Sequence, residues 1–160
     1  KKFKQDYDNF FYPLDFVSNW NKLYGSKGFA QIQILILEGQ DYKLILDEIF
    51  SYFRNNDYYS FLTTIKEFGT GNENFLSFPE KGLTVTMDIK IRKKFDDFYK
   101  GFEKILTKYE VKVYLAKDSY MSKAFFKNSY KGIDKFISLK KEIDPLNKIS
   151  SIQSKRLGIF

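Results

Sequence analysis

The chain of 160 residues contains no cysteine and no histidine. That excludes disulfides, thiol nucleophiles, the common cysteine and histidine zinc sites, and every triad that needs an imidazole. Catalysis, if there is any, must rest on carboxylates, lysine, tyrosine or a bound cofactor, and no metal site is expected. No apolar run approaches the roughly 20 residues of a membrane-spanning helix; "ILIL", Ile34 to Leu37, is only a short strand. There is no leader pattern of charged start, apolar stretch and small-residue cleavage site. The first residue is Lys1 rather than Met, so the expectation is a piece of something longer. Lack of cysteine fits a cytoplasmic protein, which is the expected location.

What is present is enough apolar matter for a core. Hydrophobic residues make up 43% of the chain, which argues against disorder and suits one domain. The net charge of +7 invites a nucleic-acid or anionic-membrane partner. The lysines, however, are scattered, with doublets such as Lys93-Lys94 and Lys140-Lys141 rather than a block. A solvated basic surface is the favoured reading, and nucleic acid is not an expected partner.

Residues 1 to 11 show no clear period. In "YPLDFVSNWNKLYG", Asp15 can cap a short helix with Phe16, Trp20 and Leu23 on one side and Gly25 as its stop. A strand is expected from Gly28 to Leu37. Tyr42, Ile45, Ile49 and Phe53 then recur at helical spacing behind Gln40 or Asp41 as the cap. "YYSFLTTIKEF" reads as a second strand, followed by a Gly, Asn and Pro loop. "LTVTMDIKIR" is a third strand with clean alternation. Leu83, Val85, Met87, Ile89 and Ile91 face one way, and Thr84, Thr86, Asp88, Lys90 and Arg92 face the other. A second long helix carries Phe95, Phe98, Phe102, Leu106 and Tyr109. "VKVYLA" is a short fourth strand, and two helices follow, the second ended by Pro145. The tail is "LNKISSIQSKRLGIF".

The order β-α-β-β-α-β is the ferredoxin-like pattern, so the expected class is α+β. It implies an antiparallel sheet with both helices on one face, the first and third strands central, the other face open, and further helices at the C-terminus. The strand "KGFAQIQILIL" then poses a question. Gln31 and Gln33 lie two residues apart and share a face, away from Ala30, Ile32, Ile34 and Ile36. On the open face they would sit beside Thr84, Thr86 and Asp88 of the neighbouring strand. Such a cluster can exchange hydrogen bonds with a polyhydroxylated ligand, although a merely solvated face is the blander alternative. "KGFAQIQI" is also similar to an RNA-binding RNP1 string. That string belongs on the third strand and needs an aromatic where Gln31 stands; only Phe29 fits a stacking role. A stand-alone RNA- or protein-binding module is kept as the competing reading.

"FFYPLDFVSNWNKLYGSKGFAQIQ", "LSFPEKGLTVTMDI", "VYLAKDS" and "DPLNKISSIQSKRLG" occur in that order over almost the whole chain. Together they resemble the C-terminal part of FAD-linked oxidases of the vanillyl-alcohol oxidase superfamily, and within it the decaprenylphosphoryl-ribose oxidase type. The resemblance implies a fragment: a substrate-binding α+β domain over residues 1–111, and a segment over 112–160 that returns to an FAD-binding domain absent from this chain. It implies FAD as cofactor, a sugar as substrate, and oxidation of a sugar hydroxyl by hydride transfer to the flavin. It places Gln31, Gln33, Thr84 and Thr86 toward the substrate, where Asp88 of the same sheet face joins them as a substrate-binding candidate, and Lys117 beside both flavin and substrate, as catalytic and cofactor-binding residue. Some members carry a cysteine where Thr86 stands, so covalent chemistry there does not carry over. A reductase partner is a further implication; the basic surface could meet anionic lipid at a membrane, although its charges form no cluster for it. The short "GTG" at Gly69 to Gly71 follows no strand-to-helix phosphate turn and reads as ordinary loop. Alone, the chain is expected to fold, to be inactive, and to expose surface through which it could form a homo-oligomer.

Overall fold

Strand β1, Phe29–Leu37, is the element around which the chain is arranged. In this computed structural model, which describes residues 2–13, 15 and 17–159, β1 lies inside a four-stranded sheet. Its partners are β2 (Ser60–Phe68), β3 (Gly82–Lys90) and β4 (Val111–Val113). The order is β2-β3-β1-β4 and every pairing is antiparallel. The α+β, ferredoxin-like expectation is met, with β1 and β3 central.

The register follows from the alternation. Gln31 pairs with Asp88, Gln33 with Thr86 and Leu35 with Thr84. Ala30, Ile32, Ile34 and Ile36 therefore share the other face with Val85, Met87 and Ile89, and all of them enter one buried cluster. A slip of one residue would send every isoleucine to the glutamine side, so this register is strongly favoured.

Two helices cover the apolar face. Helix α2, Tyr42–Asn55, starts at Asp41, whose carboxylate accepts the Leu44 N–H at 3.0 Å. It buries Ile45, Ile49 and Phe53, one per turn. Helix α3, Phe95–Leu106, has Asp96 and Asp97 in its first turn and Lys104 in its last, as the helix dipole favours. Phe98 links the two helices. It stacks on Tyr58 at 3.8 Å and meets Phe53 edge-on at 5.1 Å. Gly101 makes the close approach possible, because a Cβ there would stand 2.0 Å from the Tyr52 hydroxyl, which donates to Phe98 O at 2.9 Å.

The remaining elements lie at the β4 edge and the chain start. Helices α4 (Lys123–Ser129), α5 (Ile133–Ile143) and α6 (Ile152–Leu157) follow β4. Phe125, Phe126, Tyr130, Ile133, Leu157 and Ile159 join the same buried cluster as the sheet isoleucines. Near the start are a short helix α1, Tyr7–Phe11, and a 3-10 turn, Trp20–Tyr24.

Several boundaries differ from expectation. The helix anticipated behind Asp15 is only the 3-10 turn, stopped at Gly25 as expected; Phe16 lies outside the described residues. Helix α3 ends at Leu106, with Thr107 as its C-cap and the Thr107 hydroxyl donating to Lys104 O at 2.7 Å. Tyr109 is left outside the helix and donates to Glu48 instead. The fourth strand ends at Val113, and Leu115–Lys117 is a 3-10 turn. Helices α1 and α6 carried no expectation.

Candidate functional site

The face opposite the helices is half-covered rather than open. At one end Tyr24 is buried, stacked on Phe29 at 4.4 Å, with Trp20 also against Phe29. The Phe29 ring, the one aromatic suited to stacking a base, is thus occupied by its own neighbours. At the other end Phe78, from the loop after β2, stacks on Tyr114 at 4.7 Å and meets Phe68 edge-on. Phe78 thereby spans the sheet from β2 toward β4, and Leu35 and Thr84 are buried on this face. Gln31 and Thr86 remain half-buried between the two covers.

Five of the six expected site residues come together here. Gln31 Nε2 donates to Asp88 Oδ1 at 2.8 Å, and the Tyr24 hydroxyl points at Asp88 Oδ2 from 3.4 Å. Burial, and then the charge of Asp88, push the Tyr24 hydroxyl above its ordinary pKa. Gln33 Nε2 donates to Thr84 Oγ1 at 2.9 Å, and Thr84 Oγ1 donates to Ile34 O at 2.9 Å. Thr86 stands opposite Gln33. Asp88 and Thr84 are themselves 2% and 1% exposed, so both are inner supports rather than the outermost groups of the face.

This wiring decides the polarity of the glutamines. Thr84 has one hydroxyl hydrogen and uses it on a carbonyl, so toward Gln33 it can only accept. A carboxylate oxygen likewise only accepts. Both amides must therefore turn their nitrogens inward, to Thr84 and Asp88. Among the described residues no hydrogen bond ends on either amide oxygen. Two acceptors on one sheet face suit the O–H groups of a ligand.

Lys117 arrives by a different route. After β4 the chain stays against β1, with the Tyr114 N–H bonded to Gln33 O at 2.8 Å, and then enters the 3-10 turn that ends in Lys117. The ammonium makes no ion pair or hydrogen bond among the described residues, while Asp118 beside it is fully engaged. Sequence reasoning missed Tyr24, Asp118, Gln153 and Arg156. The last two lie inside the string "DPLNKISSIQSKRLG" that carries the resemblance, and the local signals there were Ser151 and Ser154 at capping distance and Gly158 as a stop.

Cavities lie elsewhere. One of about 310 Å³ sits between the 71–80 loop and Lys112, Tyr130 and Lys135, and another of about 560 Å³ between that loop and Phe136 and Leu139. Neither is lined by a glutamine. The GTG segment also holds no phosphate turn. A Cβ on Gly71 would meet Pro79 O at 2.5 Å, so this glycine closes a loop. Among the described residues no helix is long and apolar enough to cross a membrane.

The profile of one family, D-arabinono-1,4-lactone oxidase, matches residues 40–157. The chain belongs to this family. Thr84, Thr86, Asp88 and Lys117 fall within the matched span. The chain is also 32% identical over 158 residues to decaprenylphosphoryl-beta-D-ribose oxidase from Mycolicibacterium smegmatis (strain ATCC 700084 / mc(2)155). That match covers 98% of this chain, so it includes Gln31 and Gln33, but only 34% of the relative. The chain thus spans about a third of the length of the curated relative it matches. As a D-arabinono-1,4-lactone oxidase family member, it carries the face and the lysine turn without a dinucleotide cradle among the described residues.

Proposed function

We propose that this chain is the substrate-binding part of an FAD-dependent oxidoreductase that oxidises a hydroxyl of a five-carbon sugar or its lactone. The observation that carries the reading is the pair of glutamine amides held in one polarity on the sheet face, next to the turn that bears Lys117. In this reading Gln31 and Gln33 accept hydrogen bonds from substrate hydroxyls and fix the ring. Thr86 borders the same surface, and Asp88 and Thr84 hold the amides. The Lys117 ammonium stabilises negative charge that develops on the reacting oxygen as its proton passes to solvent water. In this reading Lys117, whose ammonium has no partner among the described residues, would stand beside the FAD ring, and the flavin would supply the acceptor for the hydride leaving carbon. Its phosphates belong to a domain of the longer protein, to which residues 112–160 return. A lipid-linked pentose is the finer substrate reading, with a separate reductase acting on the oxidised product.

The test is anaerobic mixing of the full-length flavoprotein with D-arabinono-1,4-lactone and with a short-chain prenylphosphoryl-β-D-ribose, following the visible flavin band. One of them should bleach the band. Gln31→Ala and Lys117→Ala should each slow bleaching about 10- to 100-fold while leaving the flavin bound. Rates equal to wild type in both variants would remove the site assignment.

A further inference from the structure

The Lys117 turn is held from outside the sheet by the last helix of the chain. Asp118, the next residue, has a side chain with 0% exposure. Its Oδ1 accepts the N–H groups of Tyr120 and Met121 at 3.0 and 2.8 Å. Its Oδ2 pairs with Arg156 Nη2 at 2.6 Å, and the other arm of that guanidinium donates to Met121 O. On the same face of α6, three residues earlier, Gln153 Nε2 donates to Leu115 O at 2.6 Å. Two side chains of α6 therefore grip the segment on both sides of Lys117, at Leu115 and at Asp118 to Met121.

Helix α6 is itself firmly seated. Ser151 and Ser154 form a reciprocal capping box at its start. Leu157 and Ile159 are buried in the main cluster at its end. Gly158 turns the chain at φ 73° in close contact with the Lys123 side chain. So short a helix has little stability of its own. Its cap and buried end seat it in the main cluster, and its two polar side chains, Gln153 and Arg156, reach the 115–121 segment.

We propose that Gln153 and Arg156 are positioning residues for Lys117: α6 is a clamp that fixes where the lysine ammonium stands. The proposal rests on the reading of Lys117 as a group at the reacting centre. Arginine suits the task because its planar fork reaches a carboxylate and a carbonyl together, which a lysine point charge does not.

The experiment uses the full-length protein and the variants Arg156→Lys, Gln153→Leu, Lys117→Met and Lys117→Met/Arg156→Lys. Arg156→Lys keeps a cation beside Asp118, so the carboxylate is not left as an unpaired buried charge and the variant should fold. Amide hydrogen exchange of the flavin-free protein supplies a readout independent of activity. Exchange over residues 115–121 should quicken about tenfold or more in Arg156→Lys and Gln153→Leu, with the sheet unchanged. In the flavin-loaded protein both should lower kcat about tenfold with little change in KM, as expected for a misplaced reacting group. The double variant should be no slower than Lys117→Met alone, because the clamp acts through the lysine. Unchanged exchange would overturn the clamp. An Arg156→Lys penalty that persists in the Lys117→Met background would assign Arg156 a general structural role and overturn positioning. Wild-type rates in Lys117→Met would overturn the underlying reading of the lysine, and are distinguishable because the exchange data stand apart from them.

Discussion

Thr84→Val tests the wiring of the glutamine face. Valine keeps the branched shape of threonine and removes one hydroxyl. Gln33 Nε2 then loses its acceptor at 2.9 Å, and with 8% of Gln33 exposed, water cannot readily replace it. An unpaired buried donor costs about 1–3 kcal/mol. Taking about 2 kcal/mol, and 2–4 °C per kcal/mol for a chain of this size, the midpoint should fall by about 4–8 °C. Gln33→Met removes the amide instead, while Thr84 keeps its bond to Ile34 O, so the cost should stay below about 1 kcal/mol. In Gln33→Met the further change of Thr84 to valine leaves nothing unpaired on this side. The double-mutant cycle should thus show a coupling of about 1–2 kcal/mol, measured by urea unfolding of the 160-residue chain with far-UV circular dichroism. Additive single effects, within about 0.3 kcal/mol, would mean that the amide is not tethered to Thr84, and the argument for a face of hydrogen-bond acceptors would fall with it.

Two further expectations concern the core. Gly101→Ala should destabilise the chain by about 1–3 kcal/mol despite alanine's better helix propensity, because the new Cβ must displace the Tyr52 hydroxyl from the α2–α3 contact; chemical denaturation reads this, and Tyr52→Phe should recover part of the loss. The second is alkaline lability. Burial, with the nearby Asp118 charge adding to it, raises the pKa of both Tyr99 and Tyr130. The folded chain therefore keeps these phenols protonated at pH values where the unfolded chain releases their protons. Their stabilising contribution is complete below about pH 10 and declines as pH rises above it. Tyrosinate absorbance should accordingly show a late step that coincides with loss of circular dichroism. A single smooth titration of all tyrosines with the fold intact would refute it.

The sheet was legible because its faces differ so sharply in polarity. The alternation in "FAQIQI" and "GLTVTMDIK" fixes which face each residue takes, since a slip of one residue would expose the isoleucines, and the observed register sets Gln31 against Asp88. Helices α2 and α3 were legible for the same reason, through one large apolar residue per turn. The chain ends were not. Helix α1 is five residues with no buried side chain, so no apolar stripe announces it. Helix α6 is six residues with one buried member, and its docking depends on Gln153 and Arg156 finding Leu115 and Asp118 far away in sequence.

Placement and polarity of the site were legible to different degrees. Alternation placed the glutamines on one face, yet an amide in sequence is both donor and acceptor. Which end faces outward is settled by partners that sequence does not pair: the Ile34 carbonyl that takes the Thr84 hydrogen, and the Asp88 carboxylate that has none to give. Each is fully buried or nearly so, and each is an ordinary residue of a strand. A face that presents acceptors is thus built by groups that do not themselves reach its surface. Substitutions at Thr84 or Asp88 should alter the polarity of the face as strongly as substitutions at the glutamines. An Asp88→Asn change is the sharpest case, since an asparagine can offer either an oxygen or an N–H to Gln31 and so frees that amide to turn over.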